Sequence, residues 1–426
     1  KEYYELSYNQ KRLWFLHSLD PTNLSYHMPG WLRFSHTVNI EALQRSLSGI
    51  FSRHESFRTG FKKIRGQPVQ FVRENTGIPL QTIDISRLTG NEKQQKTKEI
   101  IKQTTAQPFD LENPPLFRSI LIKQEDEAFL FVYNMHHIIS DGWSMGIVKR
   151  EFHRLYNEYA KGNQWDPEPV PYQYKDFAAW HNQQIRDSDI RRTALRYWKK
   201  VIETGLPVLK LPYYYSGSPE DKSGAGYRCT INQTIKEKLL QLAKNNNTTL
   251  STLLFTLYNL LFAYLSGQKE IVTTIISAGR VHSSLDMAVG YFINPVIVKI
   301  DVDLRGDFEE LLSGVNRQLL EALQHQNYPF EKILDDLEIA YPNIPASFNF
   351  ISLQDIGMEI EPDSQASHHI RERQEVKFPL GLFLTEYKNG IEINWDYQKT
   401  MFEPGTIENT AEKYLDLVVE VTESDE

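Results

Sequence analysis

Two adjacent histidines, His136 and His137, stand ahead of Asp141 and Gly142 in the stretch N-M-H-H-I-I-S-D-G-W-S-M. An imidazole with a reference pKa of about 6.5 accepts or shares a proton at neutral pH, and a helix N-terminus beside it can stabilise a developing oxyanion. That pairing suits acyl transfer. Zinc would need ligands that converge, but neighbouring residues at a strand end point apart and no His-x-x-x-His spacing surrounds the doublet, so no metal is expected. No G-x-S-x-G elbow occurs either, which sets the serine-hydrolase plan aside.

The flanking sequence predicts how these residues are held. Residues 116–123 and 128–135 are β-rich runs joined by the polar Q-E-D-E, which predicts an antiparallel hairpin. In the second run Phe129, Phe131, Tyr133 and Met135 share one parity and Ala128, Leu130 and Val132 the other, so this strand is expected to be covered on both faces. Met145, Val148, Phe152, Leu155 and Tyr159 then recur at helical spacing. The doublet therefore sits between a buried strand and a helix. Strand alternation sends His136 and His137 to opposite sides, so one is structural and the other is available to a ligand. Asp141 stands where an N-cap is expected, and Gly142 clears the first helical N–H groups, a candidate oxyanion site. The plainer reading is a core histidine, a capped helix and a turn glycine. Two internal controls help to weigh it. His282 and Asp286 repeat the His-x-x-x-Asp spacing and His368-His369 repeat the doublet, but neither has the strand, glycine and helix around it, and both are read as surface or loop features.

A chain of 426 residues with 40% apolar residues exceeds what one core usually holds, so two lobes are expected. The proline-rich stretch 163–171 is the expected seam, giving lobes 1–170 and 171–426. Residues 212–226 read as a surface loop. Helices are predicted near 181–203, 234–245, 250–265, 308–326 and 405–421, and strands near 270–277, 295–301, 346–353, 379–386 and 391–397. Both halves are thus α/β. A net charge of −8 excludes nucleic acid as the main partner, because phosphate binding needs a concentrated basic surface. Cys229 has no partner for an internal disulfide, which fits a reducing, cytoplasmic setting. The most apolar stretch, 250–265, is short and interrupted by polar residues, so it is read as a buried helix and no membrane is expected. The chain starts without methionine and is read as a piece of a longer polypeptide.

Several further segments now carry a resemblance. L-S-Y-N-Q-K-R-L-W-F-L at 6–16, R-H-E-S-F-R-T at 53–59, M-H-H-I-I-S-D-G-W-S at 135–144, Y-K-D-F-A-A-W at 174–180, V-G-Y-F-I-N at 289–294 and H-Q-N-Y-P-F-E-K-I at 325–333 follow one another along the chain. In this order they resemble the motifs of nonribosomal peptide synthetase condensation domains, over nearly the whole sequence. The resemblance implies an α/β fold of two lobes, each like a chloramphenicol acetyltransferase subunit, arranged as a V-shaped pseudo-dimer with an active-site tunnel between them. It implies peptide bond formation between a donor acyl or peptidyl thioester and an acceptor aminoacyl thioester, each tethered to the phosphopantetheine of a carrier protein. Donor and acceptor carrier proteins and a neighbouring adenylation domain are the implied partners, and no cofactor is expected in this chain itself.

Carried onto these residues, the resemblance makes His137 catalytic and His136 and Asp141 structural, with Asp141 paired to either Arg58 or Arg280. It places Gly142 in support of the site and Trp143, Ser144 and Asn294 along the tunnel. The opening R-L-W-F-L-H-S-L-D-P is similar to domains that take an L-configured donor or a starting acyl group. There are departures: Pro295 stands where the family usually has threonine, I-P-A-S-F-N-F-I-S-L-Q matches the seventh motif loosely, and its S-F-N-F is similar to epimerization domains. An epimerization domain, a non-catalytic recruitment domain and a standalone acyltransferase using coenzyme A thioesters are the competing readings. The intact histidine motif weighs against recruitment, and the heterocyclization subtype, which has aspartates there, is excluded.

Overall fold

The computed structural model describes residues 2–77, 80–165, 168–213, 216, 221–352, 369–373 (backbone) and 375–423. The chain divides into two compact units: residues 1–187 with 280–292, and residues 188–279 with 293–426.

The first unit runs β1 (Tyr4–Glu5), α1 (Tyr8–Leu19), β2 (His27–Phe34), α2 (Ile40–Arg53), β3 (Thr59–Ile64), β4 (Gln67–Val72), β5 (Leu80–Asp84), α3 (Gly90–Ala106), β6 (Phe117–Glu125), β7 (Ala128–His136), α4 (Gly142–Ala160) and α5 (Tyr174–Arg186). Its main sheet has the order β2-β7-β6-β5, antiparallel except for β5 and β6. A small sheet, β1-β4-β3, stands apart from it. The predicted hairpin is β6–β7, and β7 is covered on both faces as its parity requires. Leu130 and Val132 join Ile85, Ile100, Ile120 and Ile122 in one cluster, while Phe131, Tyr133 and Met135 face Leu47, Ile50 and Phe152. Helix α4 is pinned to α2 by Glu151, whose carboxylate takes Arg53 Nε at 3.1 Å and His54 Nε2 at 2.7 Å. Burial opposes ionisation of Glu151, but His54 and Arg53 outweigh it and hold the carboxyl below its ordinary pKa.

The second unit runs α6 (Ser188–Glu203), β8 (Gly224–Asn232), α7 (Gln233–Asn245), α8 (Leu250–Ser266), β9 (Glu270–Ser277), β10 (Asn294–Asp301), α9 (Phe308–Gln324), α10 (Phe330–Leu337), β11 (Ala346–Ser352), β12 (His369–Arg373), β13 (Leu380–Tyr387), β14 (Gly390–Gln398) and α11 (Pro404–Glu423). Its mixed sheet has the order β10-β9-β11-β13-β14-β8-β12, with β11 parallel to both β9 and β13. Helix α8 is apolar on nearly every side because it is the core helix: Tyr258 donates to the Ser347 carbonyl at 3.0 Å and Tyr414 to that of Leu254 at 3.0 Å. It ends at Gly267, whose φ of 67° a side chain would resist. Among the described residues no single helix is long and apolar enough to cross a membrane.

Several expectations change. The division falls at Asp187 rather than at 170, because α5 packs on the first unit: Asn182 Nδ2 donates to the Leu6 carbonyl at 2.9 Å and the Phe177 ring meets that of Phe292 at a tilt, their centroids 4.7 Å apart. The single helix expected over 181–203 is two, broken where Asp187 turns extended. The loop expected over 212–226 gives way at Gly224 to β8, which β14 pairs along its length. His369 opens β12, while His368 lies outside the described residues.

Candidate active site

The site begins where β7 stops. His136 Nδ1 accepts the Ile138 N–H at 3.1 Å, which caps a short 3-10 turn over His137–Ile139 and fixes the ring with its proton on Nε2. His136 is buried, its ring centroid 5.7 Å from that of His17, 6.1 Å from His27 and 6.3 Å from Phe109.

His137 has left the strand and lies in the 3-10 turn, so that turn, not strand alternation, places its ring. Its backbone N–H donates to the Tyr26 carbonyl at 2.7 Å, and its Nδ1 lies 2.7 Å from the Ser140 carbonyl. A carbonyl can only accept, so Nδ1 carries the proton and the neutral ring has its lone pair on Nε2. The Tyr291 ring meets it edge-on, centroids 5.0 Å apart. These contacts fix the tautomer and the ring plane.

Asp141 is the N-cap of α4 and is fully buried. Oδ1 accepts the Ser144 N–H at 2.7 Å and Oδ2 accepts the Phe292 N–H at 3.0 Å. Arg280 Nη2 lies 3.6 Å from Oδ1, an ion pair with side chains 3% and 0% exposed, so each charge offsets the desolvation of the other. Arg280 also donates to the carbonyls of Leu285 at 2.6 Å and Ala288 at 2.8 Å and to Ser144 Oγ at 2.9 Å, and its guanidinium lies over the Phe292 ring at 4.0 Å. Burial pushes the Arg280 pKa down, and Asp141 pulls it back up.

This settles which arginine serves Asp141. Arg58 spends its guanidinium on the carbonyls of Phe51, Ser52, Arg73 and Glu74 and does not meet Asp141. Its motif acts through neighbours: Arg53 and His54 hold Glu151 of α4, and Ser56 Oγ donates to the Val289 carbonyl at 2.6 Å.

Ser144 is a second correction. Expected along the tunnel, it is fully buried, with Oγ 3.0 Å from the Gly290 carbonyl and 3.1 Å from the Gly290 N–H. It ties segment 280–292 to α4. Trp143 is partly exposed, and its Nε1 donates to the Asp286 carbonyl at 3.2 Å. Gly142 opens α4, but Asp141 already takes the Ser144 amide and brings a carboxylate to the helix end, which weakens that end as an anion site. Asn294 belongs to the second unit, where Nδ2 donates to the Gln326 carbonyl at 2.6 Å and Oδ1 has no hydrogen-bond partner among the described residues. No cluster of His, Cys, Asp or Glu able to hold a metal occurs among the described residues.

A relay that the motif reading did not single out completes the site. The Tyr174 hydroxyl donates to the Tyr291 carbonyl at 2.5 Å and lies 2.8 Å from Ser7 Oγ. Ser7 caps α1 by accepting the Gln10 N–H, and Gln10 Nε2 donates to the Ile138 carbonyl at 3.3 Å, so the first and fourth motifs brace both walls around His137. Gly290 makes this possible: a Cβ there would come within 1.9 Å of Tyr174 Cδ2. Positions within the motifs were the available sequence signal for Ser7 and Tyr174. Tyr291 lies in a motif too, but nothing in the sequence said that these motifs meet.

Fold and site together define the class. The chain belongs to the Condensation domain family, whose sequence profile matches residues 1–425. It is similar to a linear gramicidin synthase protein of Brevibacillus parabrevis, a nonribosomal peptide synthetase, at 34% identity over 94% of this chain. The chain spans 5% of that protein's length. Among solved structures it is similar to the condensation domain of the Monacolin K polyketide synthase, with a TM-score of 0.83, 17% identity and coverage of 99% of this chain and 97% of that one. The first condensation domain of the calcium-dependent antibiotic synthetase gives a TM-score of 0.81 at 16% identity, with 99% and 97% covered. The α/β fold that the motifs implied is thus the fold of solved condensation domains.

Proposed function

We propose that this chain forms an amide bond between a donor acyl or peptidyl thioester and the α-amine of an acceptor aminoacyl thioester. Both substrates arrive on the phosphopantetheine arms of carrier proteins, and an adenylation domain that loads the acceptor is a further partner. The amine nitrogen attacks the thioester carbonyl, the carbon–sulfur bond breaks, and the ammonium proton passes by way of His137 toward the leaving thiolate. The observation that carries this reading is the His137 tautomer: with Nδ1 donating to the Ser140 carbonyl, the ring's lone pair lies on Nε2, the atom that would meet the amine.

An α-amine with a reference pKa of about 7.7 to 8 is substantially neutral near physiological pH, so His137 need not be a strong base. Orienting the amine against the carbonyl supplies much of the acceleration. The Asp141–Arg280 pair and the Tyr174–Tyr291 relay are positioning groups that act through the turn and the Tyr291 ring. Stabilisation of the oxyanion by the amides of Gly142 and Trp143 is the weaker part of the scheme, since Asp141 sits at the same helix end.

Reconstitution tests the reading. Carrier proteins loaded with a donor acyl thioester and an acceptor aminoacyl thioester are incubated with the chain, and the carriers are weighed by mass spectrometry. An acceptor arm heavier by the donor acyl group supports condensation; an α-proton that exchanges in D₂O without any transfer supports epimerization instead.

A further inference from the structure

The turn that carries His137 is tied to the neighbouring strand by the bond from the His137 N–H to the Tyr26 carbonyl, 2.7 Å long. His27, the first residue of β2, lies opposite His136, the last of β7, so Tyr26 and His137 meet one step beyond the ladder. The contacts of His137 with Ser140, through Nδ1 and through its own carbonyl, lie inside the turn and travel with it. The place of Tyr26 therefore bears on the place of His137.

Tyr26 ends the connection between α1 and β2, residues 20–26, D-P-T-N-L-S-Y. Pro21 has no N–H with which to continue α1, so the helix stops at Leu19 and Asp20 turns extended as its C-cap. Asp20 Oδ1 then accepts the Thr22 N–H at 3.0 Å and the Thr22 hydroxyl at 2.6 Å. Those two donors hold the Asp20 carboxyl below its ordinary pKa. Asn23 makes a second turn of the same kind, its Oδ1 accepting the Ser25 N–H at 2.8 Å. Backbone bonds run from the Asn23 N–H to the Asp20 carbonyl at 3.2 Å and from the His27 N–H to the Leu24 carbonyl at 2.9 Å. Asp20, Pro21 and Thr22 are exposed, so these bonds rather than core packing shape that end of the loop.

We infer that Asp20 and Asn23 are positioning residues for the reaction: by shaping the loop they fix the Tyr26 carbonyl, and through it the place of His137. The inference rests on His137 being the group that meets the amine. Both side chains act through the Tyr26 backbone, so a change at either moves His137 without altering its chemistry, and small displacements of a reacting group are costly in rate.

Asp20→Ala and Asn23→Ala, singly and together, test this in the whole chain. Without substrate, the backbone amide of selectively labelled His137 reports the Tyr26 bond by magnetic resonance, and both variants are expected to move its proton signal upfield and to speed its exchange with solvent. In the reconstituted condensation the same variants should lose up to about 10-fold in kcat, the worth of one hydrogen bond, with KM unchanged. Asp20→Asn and Asn23→Asp keep the acceptor oxygen and should restore most of both readouts. A His137 amide that neither shifts nor exchanges faster in the double variant, a kcat that stays put once the amide has moved, or Asp20→Asn failing as badly as Asp20→Ala would overturn the inference. The amide readout needs no turnover, so a chain that condenses nothing overturns the proposed function and leaves this arm of the test decisive.

Discussion

The Asp141–Arg280 pair offers the sharpest energetic test. Asp141→Asn keeps the shape and the Oδ1 acceptor for the Ser144 amide, but it turns an NH₂ toward the Phe292 N–H and leaves Arg280 without a counter-charge. Stranding a buried charge costs about 3–5 kcal/mol. Arg280→Met strands Asp141 in the same way and leaves the Leu285 and Ala288 carbonyls and Ser144 Oγ short of a donor, so a similar loss is expected. The double variant strands no charge. Its loss should fall short of the sum of the two by about 2–3 kcal/mol, the upper range of coupling between residues in contact. Hydrogen–deuterium exchange at the first amides of α4 reads the opening free energy of this unit separately from the other. Single losses that add to within about 0.5 kcal/mol would refute the pairing and with it the account of how segment 280–292 is held.

Two further outcomes follow from the geometry. Tyr174→Phe removes the hydroxyl shared by Ser7 and Tyr291, and should lower kcat about 10-fold with KM unchanged if the Tyr291 ring positions His137. A fall in thermal stability with kcat unmoved would reduce Tyr174 to a packing role. The His27 ring, pushed down to about 4 by burial, stays neutral in the folded chain where the unfolded chain would protonate it. Its contribution is therefore whole above about pH 6.5 and is lost as pH falls toward 4, at no more than about 1.4 kcal/mol per pH unit. Urea midpoints for the unaltered chain and His27→Gln at several pH values in that window check this; parallel slopes would contradict it.

The hairpin β6–β7 and helix α4 were legible because their signal is local: a β-rich run apolar on both parities through Ala128–Met135, then helical spacing from Met145 to Tyr159. Strand parity predicted that the two histidines separate, but β7 ends at His136 and the 3-10 turn over His137–Ile139 sets the second ring. Segment 280–292 was not legible as part of the first unit, since its attachments run from Ser56, Asp141, Ser144 and Tyr174 to backbone atoms of Val289, Gly290, Tyr291 and Phe292. Backbone carbonyls and N–H groups, which serve as the partners here, leave no mark in side-chain chemistry. The choice between Arg58 and Arg280 failed for the same reason, because backbone carbonyls occupy Arg58. Ser144 looked like a substrate contact because a hydroxyl beside a catalytic motif reads the same whether it faces ligand or a buried loop.

The central claim is that His137 works on the acceptor amine from a ring held by the Ser140 carbonyl. Single-turnover condensation between loaded carriers, followed by intact-protein mass spectrometry with the unaltered chain and with His137→Ala, tests it most directly. The account predicts amide-extended acceptor with the unaltered chain and a loss of at least about 100-fold with the variant, the usual worth of a positioned acid–base group. Equal product from both proteins would contradict it.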